Sequence, residues 1–259
     1  MSYKKVFVLV FLLLGPIPFL AGTANAGETT DKNIFTAELG TWNKYLSSSG
    51  NMLYPGTIGF GSLGLELTSG LFFGIVSQDE FSFDSEFEAG KENDLYAGFS
   101  KKDDDFSYSV IILFYDYSQK LRSMFHDEFA IRLYGMYDFP REHHTLKPYF
   151  KIEFEYNPNP GADGGFVSAG ISHSWKIREF LSFNHDISVY AYEITQFFDN
   201  GVLLRYDASL DIRIWDSGKG TLTLSPMVKM RFPLEIHGMN ADKGNDHAYG
   251  IALKWKTIF

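Results

Sequence analysis

From Val202 to Ile214 the chain alternates without a break. Val202, Leu204, Tyr206, Ala208, Leu210, Ile212 and Ile214 form one row; Arg205, Asp207, Ser209, Asp211 and Arg213 form the other. A β-strand sends successive side chains to opposite faces, so this segment is a ribbon with one apolar and one ionic face. A slip of one residue would exchange the faces and turn four charges toward hydrocarbon. Residues 147–156 repeat the pattern: Pro148, Phe150, Ile152, Phe154 and Tyr156 oppose Lys147, Tyr149, Lys151, Glu153 and Glu155. In 220–231, Leu222, Leu224, Val228 and Met230 oppose Thr221, Thr223, Ser225, Lys229 and Arg231. The last segment sets Tyr249, Ile251, Leu253, Trp255 and Thr257 against Gly250, Ala252, Lys254 and Lys256, and ends at Phe259.

Twelve segments read as strands: 33–43, 57–68, 71–82, 93–101, 105–117, 126–137, 147–156, 165–176, 181–192, 202–214, 220–231 and 247–258. Their length suits a tilted membrane strand, which needs about 9–11 residues. Long and short connections alternate, as in outer-membrane barrels. The sixth, Asp138 to Leu146, breaks the alternation because it is expected to be short and reads as long. Beyond the N-terminal leader, no apolar run approaches a transmembrane helix. A membrane protein built from these strands must therefore close on itself, since only helices and closed barrels satisfy every backbone group in lipid. The expected fold is an all-β, antiparallel, up-and-down transmembrane barrel of about 12 strands with both termini periplasmic.

Residues 1–26 read as a cleaved signal peptide. Lys4 and Lys5 precede the apolar run Val6–Leu14, and Ala24-Asn25-Ala26 fits the cleavage pattern. Residues 27–259 are then one barrel domain. The chain has no cysteine, so neither disulfides nor thiolate chemistry is expected. Its formal charge of −9 argues against a nucleic-acid partner. Aromatic residues make up 17% of the chain, enough to furnish interfacial girdles.

Alternation assigns a lumen lined by Glu128, Arg132, Lys151, Glu153, Glu155, Asp186, Arg205, Asp207, Asp211, Arg213, Lys229, Arg231, Lys254 and Lys256. The expected charge is acidic on the seventh strand, mixed on the tenth and basic on the last two. Two readings compete for this lumen. In one, it is a water-filled, mixed-charge pore for small polar or charged solutes. In the other, Arg–carboxylate pairs plug the barrel, which then serves a structural or loop-mediated binding role. Eight strands are just filled by side chains and sixteen leave an aqueous channel, so twelve lie between.

No catalytic constellation is expected. His173 and Ser174 are adjacent, and His185 and Ser188 are three apart, so neither pair shares a strand face. His143 and His144 fall in the sixth connection with no Cys or acidic cluster at metal spacing, so no metal site is expected. Glu153 and Glu155 share a face among lysines and read as salt-bridge partners. The glycines of Gly56–Gly64 lack a P-loop Lys and read as bends and close-packing points.

Gly70-Leu71-Phe72-Phe73-Gly74-Ile75, then Glu92-Asn93-Asp94-Leu95-Tyr96-Ala97-Gly98-Phe99, then Phe106-Ser107-Tyr108-Ser109-Val110 leading to Phe114-Tyr115-Asp116-Tyr117, carry a resemblance. Their order resembles the TorF-type porins of Gram-negative bacteria, over roughly residues 34–137. The first strand departs from the family's Arg-Gly pair, having Trp42-Asn43-Lys44-Tyr45 instead. The resemblance implies a porin of the outer membrane and supplies no functional residues. The expectation is a non-enzymatic diffusion channel without cofactor. Its partners would be outer-membrane lipid, the outer-membrane assembly machinery and small polar solutes, and Phe259 would be an assembly signal.

Overall fold

The computed structural model describes residues 32–46, 52–54, 56–80, 92–117, 127–156, 164–193, 201–236 and 246–259. The leader at 1–26 lies outside them, as do much of the first connection and most of the third, fifth, seventh, ninth and eleventh. Among the described residues no helix is long and apolar enough to cross a membrane.

Twelve long strands make the fold. They are β1 (Ile34–Trp42), β2 (Ile58–Glu66), β3 (Leu71–Glu80), β4 (Glu92–Asp103), β5 (Phe106–Tyr117), β6 (Glu128–Tyr137), β7 (His144–Tyr156), β8 (Gly164–Arg178), β9 (Leu181–Glu193), β10 (Gly201–Asp216), β11 (Gly220–Ile236) and β12 (Asp246–Ile258). Each pairs antiparallel with its sequence neighbours, and β1 pairs with β12, which closes the barrel and leaves no sheet edge. The closing seam runs Ile34 to Ile258, Glu38 to Lys254 and Trp42 to Gly250. Asn33 and Phe259 extend it by exchanging backbone hydrogen bonds of 2.9 and 3.0 Å. Both described ends therefore lie at the barrel end that carries the short turns.

Several strands exceed their expected lengths. β11 runs to Ile236 and β8 to Arg178, because the ladder continues past the apolar stretch wherever a paired neighbour exists. The sixth connection is a correction. Phe139 and Pro140 pair with Leu146 and Thr145, so the β6–β7 hairpin is prolonged instead of opening into a loop. The Arg141 N–H donates to the His144 carbonyl oxygen at 2.7 Å and closes the turn. His144, expected in this connection, is the first residue of β7. Pro140 lacks an N–H and made the segment read as non-strand, but a strand tip tolerates it.

Register around the sheet sets the facing. Glu38, Ser62, Val76, Asp94 and Tyr115 follow one another across paired strands on the inner face. Arg132, Glu153, Phe166, Asp207 and Lys229 share that face. The other row points outward: Leu39, Leu63, Val110, Ile131, Phe154, Val167, Ile187, Ile251 and Leu253 are all exposed. A soluble protein does not expose so continuous an apolar belt.

Glycines on the inner wall make room for neighbouring rings. A β-carbon on Gly74 would lie 2.3 Å from the Tyr96 hydroxyl and 2.2 Å from the Leu63 carbonyl oxygen. Gly40 and Gly250 leave equivalent space for Phe60 and Trp42. Gly74→Ala is expected to cost about 1–3 kcal/mol by overpacking. A lowered urea midpoint of the refolded barrel in lipid vesicles would register it; an unchanged midpoint would contradict the packing argument.

Candidate functional site

The barrel interior gathers the polar chemistry of the chain. Strands β4–β7 form one wall. Here Glu92 and Asp94 of β4, Glu128 and Arg132 of β6, and Glu153 and Glu155 of β7 stand on the inner face. Glu153 is 2% exposed and pairs with Arg132 across the β6–β7 ladder. The Tyr115 hydroxyl donates to Glu153 Oε1 at 3.0 Å, and Arg132 Nη2 lies 3.4 Å from the same hydroxyl. Arg132 thus stands among five inward carboxylates on this wall, with Lys151 of β7 next along the same face.

Strands β10–β12 form the facing wall, with β11 half a circumference from β5. Arg205 Nε donates to Asp207 Oδ2 at 2.6 Å, and Arg231 Nη1 donates to Asp207 Oδ1 at 2.6 Å. One carboxylate thus holds two guanidinium groups. Arg231 is 1% exposed, and its Nε–H has no acceptor among the described residues. Lys229, beside them in register with Asp207, lies 4.3 Å from the centre of the Trp42 ring, a cation–π contact. Lower on this wall Lys254 approaches Asp211 at 3.3 Å, and Ser225 donates to Asp211 at 2.7 Å. Lys256 faces Thr36 across the seam.

Between the walls, β7–β9 carry a tyrosine-rich strip. Tyr149 donates to Asp186 at 2.8 Å, and Arg205 Nη1 donates to the Tyr190 hydroxyl at 3.0 Å. Lys151 sits 5.0 Å from the Tyr149 ring centre and 5.7 Å from that of Tyr134. The remaining inner side, β1–β3, sets the buried Thr36, Glu38 and Ser62 beside an apolar cluster in which Trp42 stacks on Phe60 at 6.2 Å and packs with Ile58 and Leu46. Leu46 belongs to a short hairpin (Tyr45–Leu46 with Met52–Tyr54) in the first connection, which the sequence did not reveal. Its burial against Trp42 narrows the interior near the long-connection end, where Lys44 pairs with Asp246.

The sequence-predicted residues fall as follows. Glu128, Arg132, Lys151, Glu153, Glu155, Asp186, Arg205, Asp207, Asp211, Lys229, Arg231, Lys254 and Lys256 share the inner face. Arg213 stands at the turn-end rim, where it pairs with Asp216 and donates to the Glu179 carbonyl oxygen. It straps two turns together and lies outside the central network. Phe259 is exposed at the same end. Glu38, Glu92, Asp94, Tyr115 and Tyr190 belong to the interior and were not singled out. The alternation of Asp94, Tyr96 and Gly98 against Leu95, Ala97 and Phe99 lay inside the expected strand 93–101, whereas Glu92 read as the end of the third connection.

Among solved structures, the chain is similar to the COG4313 outer membrane channel from Pseudomonas putida F1. The TM-score is 0.53 at 12% identity, covering 95% of this chain and 100% of that one. It is also similar to the NanC porin, with a TM-score of 0.56 at 8% identity, covering 84% of this chain and 98% of that one. At these identities the likeness establishes the outer-membrane type of barrel fold. No protein-family model matches the sequence, and no curated protein matches it significantly.

Proposed function

We propose that this chain is a non-enzymatic outer-membrane channel through which small polar or charged solutes diffuse. The carrying observation is the interior itself: an acidic wall on β4–β7 faces a basic wall on β10–β12. A wall of carboxylates opposite a wall of guanidinium and ammonium groups sets a field across the path, which favours solutes that carry or orient charge. The shared fold with two outer-membrane channels and the resemblance to TorF-type porins support the same reading. In this reading the leader at 1–26 directs export, the termini are periplasmic, and Phe259 is the assembly signal.

A second reading has its own observation. Glu153, Arg231 and Tyr190 are nearly inaccessible, Arg132 pairs with Glu153, and Asp207 bridges Arg205 and Arg231. Those contacts would also suit a plugged barrel of structural or loop-mediated binding role. Planar-bilayer recording separates the two. Steady conductance steps are expected from the purified protein; their absence, with the barrel folded, favours the plug. In a salt gradient, Arg231→Ser is expected to shift the reversal potential toward cations, because a positive group leaves the basic wall. A conducting variant with an unchanged reversal potential would remove Arg231 from the path.

A further inference from the structure

Three histidines form a row on the outer wall, where apolar side chains otherwise dominate. Register brings His173 of β8 directly opposite His185 of β9 and sets His144 of β7 opposite Trp175, diagonal to His173. All three point outward. His144 Nδ1 lies 3.0 Å from His173 Nε2, and His173 Nδ1 lies 2.8 Å from His185 Nε2. The rings of His144 and His173 stack at 5.3 Å with 7° between planes. Trp175 stacks on His144 at 5.7 Å and Phe183 on His185 at 5.3 Å. We propose that His144, His173 and His185 form a proton-gated binding site for the phosphodiester head group of a membrane phospholipid.

Such a site requires only that the outer wall face lipid and is independent of whether the interior conducts. Three imidazoles on such a wall are costly unless they satisfy one another, and the row does so. Three neutral rings carry three N–H groups. Two are used along the row, leaving a donor at one end and a bare acceptor at the other. One added proton gives four N–H groups, so both ends donate and the row becomes a cation. The nitrogens are spent along the row and do not converge on a point, so the arrangement suits a shared proton better than a metal ion.

Depth selects the counter-ion. Trp175 and Phe183 are one outward position closer to the turns than His173 and His185, and His144 stands at the exposed rim. Aromatic rings of this kind mark the head-group level. A cation there meets phosphodiester oxygens. The charged and titratable groups around the row are mixed. The β6–β7 turn brings Arg141, Glu142 and His143, with His143 3.6 Å from Glu142. The end of β8 brings Lys176 and Arg178, and the β8–β9 turn brings Glu179. On the β10 side the outward neighbours are Tyr206 and Ala208, with no charge. Lys176 faces inward in register with Ser182, and Arg141 and Arg178 balance Glu142 and Glu179, so the charge that changes on this rim is that of the histidine row itself.

The test uses the full mature chain in detergent, titrated with phosphatidylglycerol and read by native mass spectrometry. A protonated row is a cation and a neutral row is not, so about tenfold more bound lipid is expected at about pH 5 than at about pH 8. His173→Phe is expected to abolish that pH response while keeping the heat-dependent gel shift of a folded barrel. His185→Asn serves if His173→Phe fails to assemble. Monoolein, which lacks phosphate, is expected not to be retained. Equal lipid binding at both pH values, a response that survives both substitutions, or competition by dilute inorganic phosphate as effective as lipid would each overturn the proposal.

Discussion

Leu39→Arg is expected to destabilise the barrel by about 2–4 kcal/mol, the cost of a cation on the lipid face near mid-depth. Leu39 is 69% exposed, and in a soluble protein such a residue would accept arginine at almost no cost. Here its outward neighbours are Leu253 across the seam and Leu63 on β2, so the exposed side meets hydrocarbon. Glu38, one residue earlier, is 5% exposed and faces inward, in register with Lys254. Urea titration of the barrel refolded into phospholipid vesicles, followed by tryptophan fluorescence, measures the difference. A Leu39→Arg barrel as stable as the parent would mean that the outer belt does not contact acyl chains.

Removing the carboxylate of Glu153 should have a comparable effect by a different route. Glu153→Leu removes a buried carboxylate that pairs with the largely enclosed Arg132 guanidinium across the β6–β7 ladder and accepts from Tyr115. Breaking one side of a buried pair costs about 3–5 kcal/mol, whereas replacing both sides by apolar groups is often nearly neutral. Glu153→Leu is therefore expected to lose about 3 kcal/mol. The double variant Arg132→Leu/Glu153→Leu should recover most of the loss. The same vesicle titration reads both. Additive losses would show that the two side chains act independently, and that the acidic wall is not organised around Arg132.

Strands β7, β10, β11 and β12 were legible from the chain because their inner rows carry charge. Each lysine, arginine or carboxylate votes on which face is wet, and the votes agree. Strands β1–β4 carry fewer such votes. Glu38 stood alone among Thr36, Gly40 and Trp42, Glu92 read as the end of an acidic connection, and Asp94 was the single acid in its strand row with Tyr96 and Gly98. The β6–β7 hairpin was misread because proline and a charged turn resemble a loop until a partner strand is present to extend the ladder. The histidine row was invisible for a different reason. His144, His173 and His185 are far apart in the chain, and each alone reads as a turn or interface residue.

Side-chain facing was decided locally. A strand has a period of two, and the cost of a charge in lipid acts at each position separately, so the alternating rows alone determined what is oil-facing and what is enclosed. Partnership was decided only by the closed sheet. That Arg132 meets Glu153, that Asp207 holds both Arg205 and Arg231, and that three imidazoles line up outside all depend on the stagger between neighbouring strands. That stagger arises from hairpin geometry, glycine–ring packing and the single β1–β12 seam that must close the circle, and these terms exist only when every strand is in place.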